Sequence, residues 1–139
     1  METNALALNH LVVESLTLMP RKSRVIALSS LGAERAIPNY AFIGASKAAL
    51  EALVRSLSLE LAEYEITANT VSAGVVDTDA LKYFPNREHL LAEYQARALT
   101  SRPLTPEDVA NAIYLLCLPE ADMINGHTLF VDAGYSRVG

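Results

Sequence analysis

Tyr40 and Lys47 stand seven residues apart at the head of NYAFIGASKAALEALVRSLSLEL, the segment that fills residues 39–61. Read as a helix, seven residues make about two turns at roughly 3.6 residues per turn. The phenol and the ammonium then project near one face, about 10 Å apart along the axis. A phenol ordinarily ionises near pH ~10, too high for easy proton exchange at neutrality, and a fixed cation nearby favours its ionised form. Such a pair can give a proton or a hydrogen bond to an oxygen that gains negative charge, as happens at a carbonyl-type substrate. The alternative is a tyrosine packed beneath the helix start and a solvated lysine.

The elements that must position the pair are legible from periodicity. In the 39–61 segment Leu50, Leu53, Val54, Leu57 and Leu61 form an apolar stripe, with Glu51, Arg55 and Glu60 expected outside it and Glu51–Arg55 expected as a weak i,i+4 pair. Residues 4–19 carry Leu8, Leu11, Val12, Leu16 and Met19 at helical spacing before Pro20. Residues 24–30, RVIALSS, read as a strand buried on both faces, with a polar tip where α/β sheets take ligands. Residues 66–72 read as a second strand, followed by AGVVDT, in which Gly74 lets the backbone pass close to a ligand. A turn is marked at Pro85 and Asn86, an amphipathic helix is expected over 88–99, a capped helix over 106–117, and a third strand over 127–132 between Gly126 and Gly134.

Helix and strand thus alternate as in a parallel sheet with right-handed crossovers. The 139 residues, 51% hydrophobic and 19% charged, suffice for one core, so a single domain over 1–139 is expected. Strand 24–30 would keep one unpaired flank, which invites association with another chain. The net charge of −5 is the wrong sign for a nucleic-acid surface. Cys117 stands alone, so neither a disulfide nor a cysteine metal cluster can be built within the chain. No apolar run approaches the ~20 residues of a membrane span, and the first residues carry an acid where a leader needs a basic region. A cytoplasmic, non-membrane setting is the expectation.

LGAERAIPNY followed by GASKAALEA resembles the short-chain dehydrogenase/reductase family, and within it the bacterial enoyl-acyl-carrier-protein reductases. Most of the broad family spaces its Tyr and Lys four apart, but four before Lys47 stands Ile43, and the enoyl reductases use the Tyr-x6-Lys spacing found here. The resemblance runs from about Asn4 to Gly134 and covers only the C-terminal half of the family fold. It implies a partial Rossmann-like three-layer α/β unit with three parallel strands and flanking helices. The glycine-rich turn of the dinucleotide-binding half has no counterpart in these residues.

By that resemblance Tyr40 hydrogen-bonds the thioester oxygen of an enoyl group carried on acyl carrier protein, while NADPH or NADH supplies hydride to the β-carbon. Lys47 holds the nicotinamide ribose. Ser30 falls at the substrate-orienting serine, or serves only as a strand-end hydroxyl. Ser29, Gly74, Val76 and Thr78 are expected at the cofactor, with Ala73 where a proline is common. Tyr83 and Phe84 line an acyl pocket or pack as core aromatics, and Asn4 falls near the family's helix asparagine. His10, His89 and His127 belong to unrelated segments and predict no metal site. Lys82, Arg87, Arg97 and Arg102 outnumber the acids of segment 79–102 and suggest a face for an acidic carrier protein. Two other readings stand beside this one: a 3-oxoacyl or other carbonyl reductase, and a non-catalytic chain that self-associates through helices 4–19 and 40–61.

Overall fold

The computed structural model describes residues 1–138 other than Pro85, together with the backbone but not the side chain of Tyr83. The Pro85 turn and the acyl-pocket role of Tyr83 therefore lie outside the described residues. Three strands, β1 (Arg24–Ser30), β2 (Thr67–Ala73) and β3 (Thr128–Val131), form one parallel sheet in that order. β1 has its expected bounds; β2 and β3 each begin one residue late. Among the described residues four α-helices flank them: α1 (Ala7–Ser15), α2 (Ala41–Glu60), α3 (Arg87–Arg97) and α4 (Pro106–Cys117). None is long and apolar enough to cross a membrane among the described residues.

Alternation along the strands sorts their side chains to two cores. Val25, Ala27 and Ala68 meet α1 and α2 through Val12, Leu50, Val54 and Leu57, while Val71 meets α4 through Val109, Ala112 and Leu116, with Ile26 and Leu129 packed alongside. The result is three layers with β2 in the centre, where Thr67 to Ser72 are all buried. β1 is an edge, and Leu28 is half exposed on it, so the expectation of burial on both faces fails there.

The same placement corrects the crossovers. From β1 to β2 and from β2 to β3 the chain steps the same way across the sheet, yet α2 and α4 cover opposite faces. Two parallel crossovers with that property have opposite hands, so they are not both right-handed. The usual preference reflects a short strand–helix–strand unit, whereas the connection after β2 runs through a 3-10 turn and two helices.

The first helical stretch also departs from expectation. Residues 4–19 are not one α-helix but a π turn at Glu2–Leu6, α1, and a 3-10 turn at Leu16–Leu18. The Ser15 hydroxyl donates to the Leu11 carbonyl at 2.5 Å, a back-bond that competes with the helix where it tightens. Leu8, Val12, Leu16 and Met19 face the core, but Leu11 is 68% exposed.

α2 carries the largest correction. Glu51, expected on the solvent face beside Arg55, is 5% exposed and its carboxylate accepts the Ser29 hydroxyl at 2.5 Å. It lies one turn beyond Lys47 and reaches the same strand. A buried carboxylate that loses its donor keeps its desolvation penalty. Ser29→Ala is therefore expected to lower stability by about 2 kcal/mol in urea unfolding, and more than Glu51→Gln, which can still accept; unchanged stability in Ser29→Ala would show the bond to be idle.

α4 begins as its sequence predicts. Thr105 accepts from the Asp108 amide, Asp108 accepts from the Thr105 amide, and Pro106 takes the first turn. Arg102 donates twice to the Asp108 carboxylate, and this, with the Thr105 amide, holds the carboxyl well below the ordinary carboxylate range. A group whose folded pKa is depressed stabilises the fold fully above its unfolded value and loses that contribution as pH falls through the folded one. The chain is accordingly expected to lose melting temperature progressively below about pH 4. Asp108→Asn should melt lower at neutral pH and decline less steeply on acidification, which a melting series across pH reads directly.

Candidate active site

The turn IPNY sets the entry to α2. The Tyr40 amide donates to the Ile37 carbonyl at 3.1 Å, with Pro38 and Asn39 at the two central positions and Asn39 at φ 60°, as a type II turn favours. Tyr40 becomes the N-cap of α2 rather than a residue within it. Its ring lies on Gly32: a Cβ there would stand 2.4 Å from the ring carbons, so any side chain at 32 would displace the phenol. The hydroxyl is 3.0 Å from the Ser30 hydroxyl at the tip of β1. The Phe84 ring follows at a centroid distance of 6.0 Å.

These groups line a cleft of about 670 Å³ at the carboxyl ends of the strands. Of the residues singled out from sequence, Ser29, Ser30, Tyr40, Gly74, Val76, Thr78 and Phe84 all line it. Lys47 does not. Its ammonium donates to the Leu28 carbonyl at 2.8 Å, and Leu28 is itself in the cleft wall. Partial burial holds the Lys47 ammonium below its ordinary pKa. Phenol and ammonium therefore engage residues 30 and 28 of one strand end rather than flanking a hollow side by side.

Asn4, in the π turn, donates to the Ser46 hydroxyl at 2.8 Å and joins the first helical stretch to α2; it does not line the cleft. The three histidines form no metal-ligating group with other side chains among the described residues. The basic face proposed for segment 79–102 is largely neutralised by acids within and beside the segment. Arg87 forks onto Asp77 at 3.0 and 2.5 Å, Lys82 meets Asp79, Arg102 meets Asp108, and Arg97 lies 3.8 Å from Glu93.

Gly74 is needed for a reason internal to the fold. A Cβ there would meet the Tyr94 hydroxyl at 2.6 Å, so the close approach is to Tyr94 on α3, not only to a ligand. Tyr94 is buried, and burial, followed by the Asp132 charge, pushes its pKa up to about 12. It stays a neutral phenol under the loop. Sequence reasoning passed over Glu51 and Tyr94. The i+4 spacing from Lys47 was a usable signal for Glu51, whereas nothing local marks Tyr94 as the partner of Gly74.

After Gly74 the amides of Val75, Val76 and Asp77 donate to no backbone carbonyl among the described residues, although both valines are half-buried. Half-buried donors with no partner are open to a ligand's acceptors. The arrangement thus combines a hydroxyl pair, a loop with free amides and an apolar wall.

The family model described as enoyl-(acyl carrier protein) reductase matches residues 1–136. A 1-cyclohexenylcarbonyl-CoA reductase of Streptomyces collinus is 39% identical over 127 residues, covering 90% of this chain and 45% of that enzyme. The NADH-dependent enoyl-[acyl-carrier-protein] reductase FabI of Haemophilus influenzae is 40% identical over 112 residues, covering 81% and 43%. Among solved structures, the enoyl-acyl carrier protein reductase of Bacillus cereus, with NADP+ and an indole naphthyridinone, superposes with a TM-score of 0.93 at 32% identity, over 97% of this chain and 52% of that one. The Aquifex aeolicus enzyme gives 0.91 at 34% identity, over 97% and 53%. The chain spans about half the length of the relatives it matches. A Rossmann-like fold shared with solved reductases, and a family model that runs through nearly every residue, establish that this chain belongs to the enoyl-(acyl carrier protein) reductase family.

Proposed function

We propose that residues 1–139 form one domain, the catalytic and substrate side of an NAD(P)H-dependent enoyl-thioester reductase, with the dinucleotide-phosphate site contributed from outside these residues. The observation that carries the reading is the Tyr40 hydroxyl, 3.0 Å from Ser30 inside an apolar cleft at the strand ends. Bound NADH or NADPH supplies the hydride. Tyr40 donates to the thioester carbonyl oxygen, where negative charge accumulates once the β-carbon is reduced, and a donor fixed in an apolar wall acts there with little water to compete. Ser30 holds the phenol in position. The free amides of Val75 and Val76, with Thr78 beside them, suit the carboxamide of a nicotinamide, and Lys47, anchored at Leu28, suits its ribose hydroxyls. Phe84 belongs to the acyl wall.

The relatives named above include an enzyme named for NADH, one solved with NADP+, and reductases named for carrier-protein and for coenzyme A substrates, so either nucleotide and either carrier suits the reading. The carbonyl-reductase alternative lacks its phenol: the position four before Lys47 is Ile43, which is 41% exposed and does not line the cleft. Crotonyl and acetoacetyl thioesters separate the two. With the dinucleotide-phosphate site supplied alongside these residues, reduction of the crotonyl thioester is expected, falling at least about 100-fold in Tyr40→Phe; turnover of acetoacetyl thioester alone would end the enoyl reading.

A second reading is supported by the surface. Leu6, Leu11, Val13 and Leu18 of the first helical stretch and Phe42 and Leu59 of α2 are exposed, Phe42 by 94%. Exposed apolar side chains on these helices, together with the open edge of β1, suit packing against another copy of the chain. Self-association through these helices fits catalysis and also fits a chain that only associates. A cytoplasmic setting fits the lone cysteine. NADPH and NADH titrations test the associative case: binding of either nucleotide by these residues removes the purely associative reading. Sedimentation should show Phe42→Glu shifting the chain towards smaller species; an unchanged distribution would remove α2 from the interface.

A further inference from the structure

We propose that Arg35, Arg97 and Tyr135 form an anion subsite at the cleft that takes the phosphate of the pantetheine arm on which a thioester substrate is carried; the proposal rests on the reductase reading above and extends it. The cleft is apolar for most of its lining, and its charged members are Arg35, Arg97 and Glu93. Both guanidiniums lie over one ring, at 5.3 Å for Arg35 and 5.0 Å for Arg97 from the Tyr135 centroid. In a chain of net charge −5, two cations gathered on one aromatic side chain are a local reversal of sign.

The platform beneath them is built. Ala133 and Gly134 turn the chain with φ of 52° and 78°, and the buried Asp132 carboxylate accepts the Gly134 and Ser136 amides at 3.0 and 2.8 Å. Tyr94 packs against Tyr135 at a centroid distance of 4.9 Å. A guanidinium on an aromatic face has its plane covered and its edge N–H groups pointing outward, which preserves the fork that matches phosphate. Arg97 spends part of its edge on the Val138 carbonyl at 3.2 Å and stands 3.8 Å from Glu93. Arg35 is exposed and makes no ion pair or side-chain hydrogen bond among the described residues.

A ligand matched to this surface has an apolar chain at one end, for Leu81, Phe84 and Ile113, and an anionic group elsewhere. Acyl thioesters have that form, because coenzyme A and acyl carrier protein both carry the acyl group on a pantetheine arm that ends in a phosphate. The shared phosphate is what two arginines can recognise.

The test is calorimetric titration of the chain with butyryl-pantetheine, butyryl-coenzyme A and butyryl-acyl carrier protein, thioesters with no double bond to reduce. The phosphate-bearing ligands are expected to bind about tenfold tighter than butyryl-pantetheine. In the double variant Arg35→Gln, Arg97→Gln that difference should shrink to within about twofold, with butyryl-pantetheine affinity unchanged. An advantage for only one of the two carriers, abolished in the double variant, supports the subsite and identifies its source. Equal affinity for all three ligands, or an advantage that survives in the double variant, overturns the subsite and leaves the reductase reading intact. Failure of every thioester to bind overturns both.

Discussion

Three consecutive residues at the end of one strand are each held by the same helix, and the remaining geometry follows from that. The Leu28 carbonyl accepts from the Lys47 ammonium, the Ser29 hydroxyl donates a hydrogen bond to the Glu51 carboxylate, and the Ser30 hydroxyl meets the Tyr40 phenol. Each bond alone is modest, of the order of 1–3 kcal/mol. Together they fix how far α2 can slide or roll on β1, because side chains from its start and from two later turns engage adjacent strand residues. A shift of the helix cannot favour one bond without lengthening another.

This constraint matters because β1 is an edge. An interior strand is held by neighbours on both sides, whereas among the described residues β1 has strand partners only on β2. The α2 side chains replace part of that missing support at the strand end where the cleft opens. Catalytic geometry in such folds depends on strand tips, and a tip that frays would carry Ser30 and the ring seated on Gly32 with it. Burial of Glu51 belongs to the same logic: a carboxylate taken out of water is tolerable only where a donor is fixed to meet it.

Across the cleft the second wall is built differently. The loop after β2 is shaped by Tyr94 pressing on Gly74, and the turn after β3 by Asp132 capping amides at residues 134 and 136. One wall is therefore a helix riveted to a strand, and the other is loops braced by aromatic packing. The second leaves the amides of Val75 and Val76 without backbone partners among the described residues and only part of the Arg97 edge bonded, which is what a site needs if part of its binding comes from the ligand's own acceptors.

By itself the sequence determined the identity of the elements and the kind of chemistry. Apolar spacing marked the α2 stripe, the alternation marked a parallel sheet, Thr105 to Asp108 marked the start of α4, and Tyr40 with Lys47 and IPNY marked the strand end around which a site would form. These are local signals, carried by neighbours in the chain. Tertiary structure decided what depends on distant partners: that Glu51 turns inward to Ser29, that Leu11 turns out, that Lys47 is anchored at Leu28, that Gly74 accommodates Tyr94, and that Arg35 and Arg97 converge on Tyr135 from remote segments. It also decided that α2 and α4 lie on opposite faces, since periodicity tells which side of a helix is apolar but not which side of a sheet it will cover.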